Sequence, residues 1–70
     1  MIYSLSGKLS AKKNGLIVIE VGGVGFKVVV GKNAMESLPD VGSPVKLFSH
    51  LYMREDGLEL YGFISEEELS

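Results

Sequence analysis

Hydrophobic and polar residues alternate along most of the chain with the period of two that β-strands show. Five segments carry this alternation or a β-branched run, and residues that favour turns separate them. We predict strands over residues 1–9, 16–21, 26–30, 45–53 and 58–63. One face of each strand is apolar, so we expect the strands to enclose a single core.

The connections between the predicted strands are short. Residues 10–15 are polar and end in Asn-Gly, which predicts a turn between the first two strands. Residues 22–25 contain three glycines and predict the next turn. Gly7 and Gly31 lie near strand ends, where glycine suits the bends that let a short sheet curl into a barrel.

One short helix is predicted between the third and fourth strands. Asn33 can cap a helix over residues 34–38, and Pro39 ends it. Five short strands with one helical turn in this position are typical of a five-stranded oligonucleotide-binding barrel (OB-fold) in the all-β class. An SH3-like barrel has a similar number of strands and remains an alternative.

The last two strands predict a hairpin with an acidic tip. Asp56-Gly57 predicts the tight turn, because glycine tolerates the positive φ that such turns require. Glu55 and Asp56 therefore place two carboxylates at the end of a projecting hairpin. Along its strands, alternation predicts that four apolar side chains point into the core: Leu51, Met53, Leu58 and Leu60.

The opposite face of this hairpin is predicted to be rich in aromatic side chains. They are Phe48, Tyr52, Tyr61 and Phe63, and His50 and Arg54 share their face. Four aromatics are more than a monomer normally leaves in water. We expect protein to cover them, either another part of a longer chain or a second subunit, and we consider base stacking the less favoured alternative.

Composition limits the class of protein. Seventy residues allow one domain, and 46% hydrophobic residues are enough for a core. There is no cysteine, which excludes disulfides and fits a reducing cytoplasm. No apolar run approaches the roughly 18 residues of a membrane span. The net charge is −2, but three of the nine acidic residues are Glu66, Glu67 and Glu68, which leaves six acidic against seven basic residues.

No combination of residues supports catalysis. His50 is the single histidine, and without cysteine a zinc site is poorly supported. Residues 22–25 lack the spacing of a nucleotide-binding loop. Glu55 and Asp56 lie at an exposed tip, where no burial would tune them as an acid–base pair. We predict a protein that is not an enzyme and that uses no metal and no cofactor.

The final residues predict the beginning of a helix. Residues 65–68 read Ser-Glu-Glu-Glu, which is a capping box. Because the sequence ends at Ser70, this helix has little room to form. We therefore expect residues 1–64 to be a barrel domain and residues 65–70 to lead into a second domain.

Several segments resemble a known family in their order and spacing. They are Met1-Ile2 with Gly7, residues 19–26, Leu38-Pro39, residues 54–56 and residues 60–63. Together they resemble the N-terminal domain of RuvA, the Holliday junction-binding subunit of the bacterial RuvABC branch-migration machinery, over essentially the whole chain. The resemblance implies an OB-fold at the centre of a homotetramer, on which a four-way DNA junction lies open during recombination, repair and the SOS response.

The resemblance also implies roles for particular residues. Glu55 and Asp56 match the acidic pin of the family, and Arg54 matches the basic residue beside it, which contacts DNA or braces the pin. The outward aromatics then become subunit contacts. The family often has a basic residue where this chain has Ser4, so a phosphate contact from the first strand is in doubt.

Further domains and partners follow from the same resemblance. A second domain with helix-hairpin-helix motifs supplies most phosphate contacts, and a third engages the RuvB ATPase; RuvC, the resolvase, acts in the same machinery. Two other interpretations of the residues stay open. One is an unrelated OB module that stacks single strands on Tyr52, Tyr61 and Phe63. The other is an assembly domain that binds no nucleic acid.

Overall fold

Five strands close into a barrel, and one short helix lies between the third and fourth. The elements are β1 Ile2–Lys13, β2 Leu16–Val21, β3 Val24–Val30, α1 Lys32–Ser37, β4 Pro44–Arg54 and β5 Gly57–Phe63. The computed structural model describes residues 2–64, without the side chains of Ile2, Tyr3 and Arg54. The strand order is β1-β2-β3-β5-β4, and β3 and β5 are the parallel pair. The predicted OB-type barrel is confirmed.

The first strand is longer than predicted. Residues 10–13, which we predicted to be part of a turn, continue β1 and pair with β2 as far as Lys13 opposite Leu16. The turn is therefore reduced to Asn14 and Gly15. A shift of register between Leu9 and Ala11 marks a β-bulge at the start of this extension. Polar residues suit this extension because most of them are exposed.

The helix begins earlier than predicted, at Lys32. Gly31 is its N-cap, in an extended conformation with φ −75° and ψ 171°, and it makes no side-chain capping bond. The predicted cap at Asn33 is therefore wrong. Asn33 lies inside the helix, where its carbonyl accepts a hydrogen bond from the Ser37 hydroxyl at 3.2 Å. The helix start predicted at Ser65 lies outside the described residues.

The core is aliphatic and lies inside the barrel. It consists of Leu9, Ile17, Ile19, Val28, Val30, Ala34 and Leu47. Ser49 is fully buried next to this set in β4, and its hydroxyl has no hydrogen-bond partner. An unpaired buried hydroxyl costs about 1–3 kcal/mol. The polar atom at Ser49 therefore weakens the fold.

We expect Ser49→Ala to stabilise the chain by about 1 kcal/mol, because it removes the unpaired hydroxyl and leaves only a small void. For a domain of this size that corresponds to a rise in Tm of roughly 4–8 °C. Thermal and urea unfolding followed by circular dichroism would measure it. The matched control is Ser37→Ala, whose exposed hydroxyl is bonded, and which should change stability by less than about 0.5 kcal/mol. A clear loss of stability in Ser49→Ala would contradict this account.

β1 passes very close to β2 at Gly7. A Cβ at this position would collide with the carbonyl oxygen of Glu20 and would lie 2.8 Å from Cγ2 of Val21. Real Cβ atoms do not approach other atoms so closely, so a side chain here would push the two strands apart. Glycine at position 7 thus lets the barrel wall close where β1 meets both β2 and β4.

The strands β4 and β5 continue beyond the barrel as a hairpin arm, which we define as residues 51–60. The described pairs between β1 and β4 end at Ile2 opposite His50. The pairs between β3 and β5 are Val29 with Tyr61 and Val30 with Gly62. Past these points β4 and β5 pair with each other, up to Arg54 opposite Gly57. The arm carries the acidic tip away from the core.

Candidate nucleic-acid interface

The tip of the hairpin arm is a two-residue turn formed by Glu55 and Asp56. Arg54 and Gly57 are the last paired residues on either side. Gly57 is the first residue of β5 and has φ 147°, so the predicted turn at Asp56-Gly57 lies one residue earlier than expected. The shift places both acids in the turn itself. Both side chains are exposed to solvent.

Basic charge is spread over the barrel. All six lysines are exposed: Lys8, Lys12, Lys13, Lys27, Lys32 and Lys46. They lie on four different elements, β1, β3, α1 and β4. Arg54 is the last residue of β4, directly before the turn, and its side chain lies outside the described part of the chain. The role predicted for Arg54 therefore stays a prediction.

One face of the hairpin arm carries an apolar stripe, which we define as Leu51, Met53 and Leu58. We predicted that these residues and Leu60 would be buried, because strand alternation puts them on the same face as Leu47. The face is right, but the burial is wrong for the stripe: Leu51 is 41% exposed, Met53 86% and Leu58 62%. Leu60 is half-buried and packs against the core. The three residues of the stripe are exposed because they lie past the described pairs of β4 with β1 and of β5 with β3, whereas Leu60 lies next to those pairs and still reaches the core.

The opposite face carries an aromatic cluster, which we define as His50, Tyr52 and Tyr61. The ring centroids of His50 and Tyr52 are 4.5 Å apart, and those of Tyr52 and Tyr61 are 4.9 Å apart in an edge-to-face arrangement. The Tyr61 hydroxyl donates a hydrogen bond to the Glu59 carboxylate at 3.3 Å. The rings of this cluster therefore cover part of one another, which reduces the surface that a base could stack on.

Phe48 and Phe63 lie further down the same face of the hairpin. They are directly opposite each other in the register of β4 and β5, and both are half-buried. All four aromatics that we predicted to face outward therefore share one face with His50, opposite the face of Leu47. Their role as subunit contacts stays a prediction.

The described residues offer electrostatic chemistry at the tip. Two exposed carboxylates on a narrow turn can repel the phosphates of DNA without contacting its bases. Among residues 2–64, no cluster of three or more histidine, aspartate or glutamate side chains could hold a metal ion. Within the same range, no helix has the length and apolar character needed to cross a membrane.

Comparison with known families accounts for nearly the whole chain. Residues 1–62 match the family model described as the RuvA N terminal domain. The chain belongs to the RuvA family. This membership confirms the resemblance drawn from residues 19–26, 54–56 and 60–63.

Several curated RuvA proteins are similar to this chain. The protein from Chromobacterium violaceum is 48% identical over 68 residues, which cover 97% of this chain and 34% of that protein. The protein from Chloroherpeton thalassium is 44% identical over 68 residues, with the same coverage. The protein from Acetivibrio thermocellus is 34% identical over 70 residues, 100% of this chain and 35% of that protein.

Each of these three relatives is named Holliday junction branch migration complex subunit RuvA. The chain spans about a third of their length. The chain thus corresponds to the N-terminal domain of RuvA, and in this chain that domain consists of the barrel and the hairpin arm.

The exposed apolar stripe is the part of this RuvA domain that sequence reasoning missed. Alternation identifies which face of a strand a residue occupies, but it does not give the depth of that residue in the fold. The described pairs between β1 and β4 end at Ile2 opposite His50, and the stripe lies past this point along the hairpin.

Proposed function

We propose that this chain binds four-way DNA junctions and holds their centre open, with Glu55 and Asp56 as an acidic pin. The observation that carries the proposal is the position of these two exposed carboxylates, which together form the turn of an arm that overhangs the barrel. Membership of the RuvA family supports it, because curated relatives are named for the Holliday junction.

The pin acts through charge. A duplex carries one phosphate charge per roughly 1.7 Å of its axis, so a carboxylate close to it is repelled unless a cation lies between them. At the centre of a junction, where strands exchange partners, this repulsion keeps phosphates apart and guides separated strands into the arms. The acids then oppose tight, static binding. They favour a junction that can migrate.

The proposed assembly is a cyclic homotetramer with the pins near its axis. Each copy contributes Glu55 and Asp56, so the negative charge at the centre is four times that of one arm. The contact between copies uses the face of the hairpin that carries Phe48, Tyr52, Tyr61 and Phe63. Arg54 holds a phosphate or braces the pin.

The wider proposal concerns the protein to which this domain corresponds. Its role is non-catalytic: a separate RuvB ATPase drives migration and the RuvC resolvase cuts the junction, in the cytoplasm, during recombination and repair. The contacts with RuvB and RuvC lie outside the barrel. For this chain alone we propose weak DNA affinity, because its lysines are spread over four elements.

A comparison of two DNA affinities tests the proposal. Fluorescence anisotropy at one fixed, low salt concentration would compare a labelled four-way junction with single strands of the same sequence, since affinities at different salt cannot be compared. We expect the junction to be bound more tightly. Tighter binding of single strands would overturn the proposal and favour the single-strand-binding OB module.

Light scattering over a concentration series tests the assembly independently. We expect the mass to rise from that of one 7.6 kDa chain toward four times that value. A tetramer that binds neither DNA would favour the structural assembly domain. A mass that stays at one chain throughout would overturn the tetramer.

A further inference from the structure

The barrel closes between β3 and β5 through a short contact. In the described part of the chain, two residue pairs join these strands, Val29 with Tyr61 and Val30 with Gly62. Before these pairs, residues 24–28 of β3 pair with β2 alone. The opposite edge of residues 24–28 therefore has no neighbouring strand within the range that the structure describes.

The backbone at this open edge of β3 carries hydrogen-bonding groups. The amide of Val30 donates to the carbonyl of Gly15 at 3.0 Å, on the side of β2. In an antiparallel pair, the N–H and C=O of one residue point to the same side, and the side alternates along the strand. The N–H and C=O groups of Gly25 and Lys27 consequently point away from β2. Both residues are exposed, and an exposed edge of this kind is a template for another strand.

An apolar groove lies beside the open edge. Val24 and Phe26 share a strand face with the buried Val28, yet they are 55% and 36% exposed, since β5 does not pair with this part of β3. An apolar surface next to an open strand edge is the combination that an added β-strand uses. The groove is lined by Ser4, Leu5, Phe26, Ser49, Leu51 and Leu60.

Charge indicates which kind of chain fits this groove. None of the side chains that line it is charged. The exposed acids Glu55 and Asp56 lie further along the arm, and Asp56 precedes Leu60 by about 13 Å of extended strand. These carboxylates repel a polyanion such as DNA and attract basic residues. An extended peptide with apolar side chains at alternate positions and basic residues at one end matches both features.

We infer that an extended segment of a partner protein pairs with β3 at residues 25–27 and places its apolar side chains in the groove. Antiparallel pairing is the more stable arrangement. Because β3 and β5 run parallel, the start of β3 lies toward the acidic turn, and the C-terminal end of an antiparallel segment reaches that turn. Its basic residues therefore belong at the C-terminal end. The inference does not depend on the proposed tetramer, since no residue of the aromatic cluster lines the groove.

Two substitutions of Lys27 test the backbone contact. Lys27→Pro removes the N–H that points to the open edge and spares the pairing with β2, because proline is tolerated on edge strands. Lys27→Ala removes the same charge and keeps the N–H. The probe is a fluorescent, amidated peptide of about seven residues, roughly 23 Å when extended, in which valine and threonine alternate before two C-terminal lysines. A second peptide of the same composition carries the lysines at its N-terminal end.

We expect saturable anisotropy changes with the unchanged chain and with Lys27→Ala, and roughly fivefold to tenfold weaker binding by Lys27→Pro. The peptide with N-terminal lysines should bind more weakly. The largest changes in amide NMR shifts should occur at Gly25 and Lys27. A peptide N-methylated at its valines and threonines lacks their backbone donors and should also bind more weakly to the unchanged chain, which makes the test independent of the folding of Lys27→Pro.

Absence of binding to the unchanged chain would overturn the inference. Equal binding of the parent and N-methylated peptides would overturn it too, and would show that charge attraction alone holds the peptide. If the peptide does not bind and Lys27→Pro lowers the mass in light scattering, the edge of β3 is instead a contact between copies, and the inference is wrong.

Discussion

Replacement of both Glu55 and Asp56 by glutamine is expected at least to preserve junction binding. At low salt we expect the affinity for the junction to rise by about tenfold. A unit charge 4 Å from another contributes roughly 1 kcal/mol in water, and tenfold in affinity corresponds to about 1.4 kcal/mol. Glutamine keeps both side chains polar and has the same size as Glu55, although it is one methylene longer than Asp56, and it removes the repulsion of phosphates. Because the Debye length is only about 10 Å at 0.1 M salt, the gain should shrink as salt rises. Anisotropy titrations at several salt concentrations would measure it.

A matched control separates the position of the charges from their number. Glu36 and Asp40 are exposed acids that lie off the hairpin, in α1 and in the loop after it. Replacing both with glutamine changes the net charge by the same amount, and we expect a smaller gain in affinity. Markedly weaker junction binding by the Glu55 and Asp56 variant would refute the repulsion model. Equal gains in both variants would show that net charge, and not the pin, controls binding.

Gly7→Ala is expected to cost about 3 kcal/mol of stability, the upper end of the usual range for overpacking. The added Cβ would meet the Glu20 carbonyl and the Val21 side chain, and the carbonyl cannot move without displacing β2. A chain of this length has a total stability of roughly 4–10 kcal/mol. Roughly a third to three quarters of it is therefore expected to be lost. Urea unfolding followed by circular dichroism would measure the change.

Gly31→Ala is the control for the loss of a glycine as such. Gly31 has a negative φ of −75°, and an added Cβ there would have no atom within 4 Å among the residues described. We expect its stability to change by less than about 1 kcal/mol, because the lower entropy of the unfolded chain offsets the weaker N-cap. If both variants lose the same stability, close packing at Gly7 is not the cause.

Much of the barrel could be predicted because its strands obey a simple alternation. The bounds of β2, residues 16–21, were predicted correctly, since a β-branched run between two glycine turns leaves little choice. The extension of β1 over residues 10–13 was not, because backbone pairing with β2 holds polar residues in a strand. The N-cap at Gly31 was also missed, since side-chain capping preferences do not apply where no side chain caps the helix.

The site was predicted in part. The acids at positions 55 and 56 were placed correctly at the tip, because a hairpin between two alternating strands fixes its own turn to within a residue. The exposure of Met53 was not predicted, because it depends on how far the described pairing of β1 with β4 extends and not on the sequence around Met53. The lack of a hydrogen-bond partner for the Ser49 hydroxyl was not predicted either, because it depends on which residues surround Ser49 in the folded barrel.

The overhang of the arm has a consequence for how such a domain can evolve. Met53 and Leu58 contribute little to the barrel because both remain largely in water, whereas Leu47 on the same strand is part of the core. The stability of the barrel therefore constrains residues 53–58 only weakly, and the length, charge and shape of this segment can change while the barrel stays folded. Related proteins can therefore differ in the hairpin tip while their barrels keep the same stability.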